Sequence, residues 1–212
     1  MEEQLKECQE KFKLTFPDDL LIDEFALTLG MNLELHRQVL VAFLKGEETY
    51  NYQPLLGSPL SMGFGEQVTI TQLDKSISIT RLEFLDLMFG IDFIYSPIYP
   101  IGTVLTLDDS LLPTSVQARV RDFTPQQQVV VVAQKTIIDS QFVDYLAYPY
   151  PQGVMANVQP ILVGNIAIKT VEEQGPETEL SQEYGKYLRD RIAQTGRMAL
   201  NYHAWKESEM SG

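Results

Sequence analysis

The chain has 212 residues, 44% of them hydrophobic and 21% charged, with a formal net charge of −13. Such a composition suits a globular chain with a real core, and no apolar run approaches the roughly 18 residues that would span a bilayer. The negative field repels phosphate backbones and anionic lipid surfaces alike, so nucleic acid and membranes are not the expected partners.

Residues 1–97 hold 16 acids against 7 bases, so most of the excess lies in the first half. A basic or amphipathic polypeptide is its natural complement. The opening residues, MEEQLKECQEKFK, lack an apolar core and a small-residue cleavage site, and so do not read as a signal peptide. The single cysteine, Cys8, excludes an internal disulfide or a CxxC metal knuckle and fits a reducing cytoplasm.

In chain order, residues 2–13 are polar and helix-permissive and read as a frayed helix. FPDDLLIDEFALTLG reads as a helix start: Pro17 and the acids Asp18 and Asp19 stand at the positive end, and Gly30 is the stop. Leu20, Leu21, Phe25 and Leu29 form its apolar face. A second helix follows, with an N-cap at Asn32, apolar positions at Leu33, Leu40, Val41 and Leu44, and a stop at Gly46. EETYNYQPLLGSPLSMGFGEQ shows no period and reads as a long connection. QVTITQL and SISITRL alternate on either side of Asp74-Lys75, a β-hairpin pattern. RLEFLDLMFGI then predicts a short buried helix closed by Gly90.

After Pro97 the character changes. GTVLTL, SVQARVRDF, QVVVVAQKTI, FVDYLAYPY and NIAIKTV read as successive short strands, the signature of a small antiparallel barrel or strongly bent sheet. Pro100 and Gly102 set the entry of the first strand, with Val104 and Ile101 facing inward. VVVVA is apolar on both faces and should be central, and PYPQG is a turn. EEQGPETEL reads as an acidic linker. From Glu179 to about Lys206 the pattern predicts one long helix, with Leu180, Tyr184, Tyr187, Leu188, Ile192, Ala199, Tyr202 and Trp205 along one stripe. The fold class expected is therefore α+β: a mainly helical region with one β-hairpin at 1–97, a small antiparallel β domain at 98–175, and an acidic linker with a C-terminal amphipathic helix at 176–212.

The search for chemistry finds little. His36 and His203 are far apart and lack metal-ligand spacing, and both read as structural or solvated. Cys8 sits beside Glu7 and Glu10, which disfavour a thiolate. Gly63 and Gly65 lack the third glycine and the strand–helix setting of a dinucleotide loop. Asp108 and Asp109 follow a strand and read as turn formers rather than catalytic carboxylates. No catalytic residue, metal ligand or cofactor is expected. Two aromatic groups stand out, Tyr145, Tyr148 and Tyr150 in the β region and Tyr184, Tyr187, Tyr202 and Trp205 near the end. Aromatics of this kind serve binding surfaces or the packing of helix on sheet. The candidate partner-binding residues are Tyr145, Tyr148, Tyr184, Tyr187, Leu188, Ile192 and Trp205.

Three motifs carry a resemblance. PIGTVLTL (Pro100–Leu107), FVDYLAYPYPQG (Phe142–Gly153) and NIAIKTVEEQG (Asn165–Gly175) occur in that order. They resemble the hallmarks of a small domain family of unknown function, encoded in Gram-positive type VII (ESX/Ess-like) secretion loci beside LXG polymorphic toxins. The chain departs from that family in two places: DDSLLP stands where a glycine- and lysine-rich turn is usual, and ARVRDF where a Met-Ile-Ile-Gly strand is usual. The resemblance implies a non-enzymatic cytoplasmic chaperone or targeting adaptor that holds the helical export region of an LXG toxin. Two other readings stand beside it: an immunity protein that inhibits the toxin domain, its acidic surface suiting a basic nuclease, and a small hydrolase or ligand-binding barrel with a deep polar pocket. Self-association as a homo-oligomer is left open.

Overall fold

Leu5, Cys8 and Phe12 recur every three or four residues, and this spacing gives the polar N-terminal segment one apolar stripe. In the computed structural model, which describes residues 2–55, 57–112, 114–123, 126–154 and 158–211, that stripe is buried on helix α1 (Glu2–Phe12). Helix α2 (Leu20–Gly30) starts at Asp19, whose carboxylate accepts from the Leu21 N–H at 2.8 Å, so Pro17 stays outside it. Leu21, Phe25 and Leu29 face the core as expected, but Leu20 is exposed. Helix α3 (Leu33–Leu44) is capped by Asn32, whose side chain accepts from Leu35 N–H at 3.1 Å.

The segment expected to be a long connection contains two strands, β1 (Thr49–Tyr52) and β2 (Leu60–Phe64). Leu60, Met62 and Phe64 do alternate inward, but the glycines and prolines around them hide that period. Strands β3 (Gln67–Gln72) and β4 (Lys75–Thr80) form the expected hairpin, with Leu73-Asp74 as its turn, one residue earlier than Asp74-Lys75. The four strands pair antiparallel in sequence order. Val68, Ile70 and Ile79 join Leu60, Met62 and Phe64 on the buried face, and Thr69–Ser78 and Thr71–Ser76 hydroxyl pairs line the other.

Helix α4 runs over Arg81–Tyr95, past the expected stop at Gly90. Its N-terminus is a reciprocal capping box: Glu83 N–H donates to Thr80 Oγ1 at 3.2 Å, and Thr80 N–H donates to Glu83 Oε2 at 2.7 Å. Every residue from Phe84 to Phe93 is buried. Gly90 lies inside the helix and does not end it, and a Cβ there would meet Leu5 and Leu14 at the ordinary contact distances of 3.4 and 3.5 Å. Gly30 is where close approach requires a glycine: a Cβ there would lie 2.4 Å from the Tyr95 ring. Phe12 packs edge-on against Phe89 and Phe93, with ring centroids 5.0 and 4.7 Å apart. These elements, with residues 204–212, make one unit, Met1–Ser96 and Ala204–Gly212.

The second unit is Pro97–His203. It holds β5 (Val104–Leu107), α5 (Thr114–Phe123), β6 (Gln128–Ile138), β7 (Gln141–Pro149), β8 (Ile161–Val163) and β9 (Ile168–Glu173), then α6 (Glu179–Thr195) and the start of α7 (Leu200–Ser211). The strands form an antiparallel sheet in the order β8-β7-β6-β5-β9, with β8 and β9 as open edges. Strand β6, which carries VVVVA, is central as expected. SVQARVRDF, expected as a strand, is the helix α5. Val116 and Val120 are four apart, a spacing that puts two residues on one side of either element, and they pack on the core of Leu105, Leu107, Val129, Val131, Ile161 and Val163.

The acidic linker expected near residue 175 is built into this unit. Glu172 and Glu173 end β9, and Gly175 is buried. Gly175 N–H donates to Thr103 Oγ1 at 3.0 Å, and that hydroxyl donates to the Pro100 carbonyl at 2.7 Å. A Cβ on Gly175 would lie 2.5 Å from the Ile101 carbonyl oxygen. Gly102 crosses it with φ +89° and donates its N–H to the Val131 carbonyl at 2.8 Å. Val104 faces inward, whereas Ile101 is exposed. The single long helix expected at the end is two helices, because Gly196 takes the left-handed conformation (φ 62°) and ends α6. The protein is thus mixed α+β: N-terminal helices, two open antiparallel sheets and C-terminal helices.

Candidate functional site

The candidate residues fall into different environments. Tyr145 is fully buried on β7; its hydroxyl donates to the Pro97 carbonyl at 3.0 Å and accepts from the Tyr99 N–H at 3.1 Å. It holds the entry of the second unit and presents no surface. Tyr148, opposite Val130 on β6, is half-buried. Leu188 and Ile192 are buried with Gly185 and Ala193 on the inner side of α6. Trp205 is half-buried on α7. Tyr184 and Tyr187 are exposed, with rings stacked 6.0 Å apart at 26°, and Leu180 lies one turn before them at 75% exposure.

Helix α6 therefore carries two apolar stripes rather than one. Leu188 and Ile192 hold it to its unit, and Leu180, Tyr184 and Tyr187 face solvent. The sequence stripe merged them because residues at i+4 and i+8 drift round a straight helix by tens of degrees. Beside α6 lies an open groove of about 610 Å³, lined by Ile98, Glu179, Gln182, Glu183, Lys186 and Arg189.

Three of the groups singled out for chemistry, His36, Cys8 and Asp108, have defined surroundings. His36 Nε2 lies 3.1 Å from the Met88 carbonyl, and burial pushes its pKa down to about 4. Burial pushes the Cys8 thiol up to about 12, which favours its protonated form. Asp108 accepts from the N–H and hydroxyl of Ser110 at 3.1 and 2.7 Å, a side-chain turn. Among the described residues no group of three or more His, Cys, Asp or Glu is placed to hold a metal ion, and no helix is long and apolar enough to cross a membrane.

A buried ion pair lies in the second unit, at two positions the sequence pattern does not single out. Lys135 on β6 pairs with Asp144 on β7, and both side chains are almost fully buried. Asp144 also accepts from the Asn165 backbone N–H at 3.0 Å, and Lys135 Nζ lies 4.9 Å from the Phe142 ring centroid. Lys135 takes φ 42°, unusual for a lysine, in this irregular strand pair. The signal was present in both strands: each residue is a lone charge inside an otherwise apolar or neutral run. Asp144 and Tyr145 together tie β7 to β6, to the turn at Asn165 and to the start of the unit, so the motif around them is architectural. The chain matches no protein-family model, no curated protein and no solved structure.

Proposed function

We propose that this protein is a non-catalytic adaptor or chaperone that holds the helical export region of an LXG toxin for type VII secretion. The observation that carries the reading is the solvent-facing stripe of Leu180, Tyr184 and Tyr187 on a helix already anchored by its other face. Amphipathic export helices cannot bury their apolar faces alone, and a second helix face is a physical means of covering them. The motif resemblance supplies the secretion context. In this reading the five-stranded sheet is the family's barrel-like scaffold, the protein acts in the cytoplasm, and its motif residues hold shape.

Co-expression with the N-terminal region of an LXG toxin encoded beside it, followed by size-exclusion chromatography, tests this. Co-elution is expected; separate elution at micromolar concentrations overturns the reading. Binding to the toxin's C-terminal domain instead, with rescue of intoxicated cells, assigns an immunity role.

A further inference from the structure

Leu180, Tyr184 and Tyr187 stand at i, i+4 and i+7 on α6 and are exposed, so they form one apolar stripe facing solvent. The charges of this helix are divided along its length. Residues 177–183 carry Glu177, Glu179 and Glu183 and no base, whereas residues 184–195 carry Lys186, Arg189 and Arg191 against a single acid, Asp190. Acid therefore stands at the N-terminal end of the stripe and base at its C-terminal end. Glu179, Glu183 and Lys186 are exposed and follow one another at i+4 and i+3, so they run along the side of the stripe away from buried Leu188 and Ile192.

A helix divided in this way complements its own reverse. A second copy laid antiparallel, with the stripes superposed, sets Leu180 against Tyr187 of the other copy and brings the two Tyr184 rings to the twofold axis. The same register places Lys186 of each copy between Glu179 and Glu183 of the other, about 3 Å along the axis from the level of each. Asp190 reaches the level of Glu177, but Arg189 and Arg191 stand on either side of it and outweigh it. A parallel copy sets the acidic half on the acidic half and the basic half on the basic half. The net charge of −13 opposes association only in part, because residues 98–212 hold 13 of the acids against 9 bases. We propose that this face binds a second copy of the chain, α6 antiparallel to α6, in an isologous dimer. The inference goes beyond the adaptor reading and does not depend on it; in an adaptor, the second copy holds the face until an export helix displaces it.

Sedimentation velocity of the full chain tests this. The paired stripes are short beside a standard interface, so the dimer is expected at micromolar concentrations. Tyr184→Ala with Tyr187→Ala weakens it at least about tenfold. Lys186→Glu in one chain, and Glu179→Lys with Glu183→Lys in another, each set like charges together and weaken the homodimer. Mixed, the two variant chains form a heterodimer, a gain that misfolded variants do not produce. A parent chain that stays monomeric at tens of micromolar, a dimer indifferent to the tyrosine substitutions, or charge variants that do not prefer one another overturns the proposal. A monomeric chain that co-elutes with the toxin export region overturns this inference and keeps the adaptor reading. A dimer with the expected variant pattern that does not bind the export region keeps the inference and removes that reading.

Discussion

The imidazole of His36 is buried among apolar side chains, with one nitrogen on the Met88 carbonyl. Protonation would place an unpaired cation there. Its folded pKa of about 4 lies below the ordinary 6.5, so the unfolded chain binds the extra proton first. Stability is therefore full above pH 6.5 and falls as pH drops towards 4, by at most about 3 kcal/mol. His36→Gln keeps a donor for Met88 and does not titrate, so its melting temperature should fall less over that window; identical pH profiles for the two proteins would refute this. The Lys135–Asp144 pair makes a second residue-scale prediction. Asp144→Ala leaves a buried ammonium without its carboxylate and should cost about 3–5 kcal/mol in urea unfolding. Replacing both, as Lys135→Met with Asp144→Leu, should cost much less; equal losses would show that the penalty is not an uncompensated charge.

At the scale of elements, glycines separate close approach from mere flexibility. Gly175 has backbone on the facing side, with the Ile101 carbonyl 2.5 Å and the Thr103 nitrogen 2.8 Å from where a Cβ would stand. Neither can move without opening the β5 entry, so Gly175→Ala should lose about 2 kcal/mol or more by overpacking. Gly63 on β2 has nothing within 4 Å and ordinary backbone angles. Gly63→Ala should be neutral or gain up to about 1 kcal/mol through the unfolded chain. Chemical denaturation of the pair checks the contrast, which fails if both substitutions cost the same. Sequence position alone did not separate these glycines. The sequence pattern places Gly175 in a linker, and only the facing backbone shows that a side chain has no room there.

At the scale of the whole molecule, the last residues of the chain belong to the first unit. Lys206 pairs with buried Asp86, which also accepts from Thr15 N–H at 3.0 Å. Arg81 grips Glu209 through two hydrogen bonds of 2.6 and 2.9 Å while lying 4.3 Å from the Phe43 ring centroid. Deleting residues 204–212 should therefore destabilise the first unit by about 3 kcal/mol, because Asp86 is left buried without its cation. Asp86→Asn in the shortened chain should recover part of that loss. Thermal unfolding followed by circular dichroism measures both, and no recovery would mean that lost apolar packing, rather than charge, sets the cost.

Local signals determined much on their own: the acids at the start of α2, the cap at Asn32, the β3–β4 hairpin, the apolar run VVVVA and the turn at Asp108 each depend on neighbours a few residues away. The α6 tyrosines could be named from sequence as surface candidates, but not told apart from Tyr145, because aromatic side chains suit a core and a contact face equally. Tertiary structure decided what depends on distant partners. It set helix against strand for SVQARVRDF, where a spacing of four fits both periods. It also set the burial of Gly175 under the Ile101 carbonyl, the Lys135–Asp144 pair, and the anchoring of Lys206 and Glu209 on α4. In each case the deciding energy is steric or electrostatic contact across a long stretch of chain, which short-range periodicity does not encode.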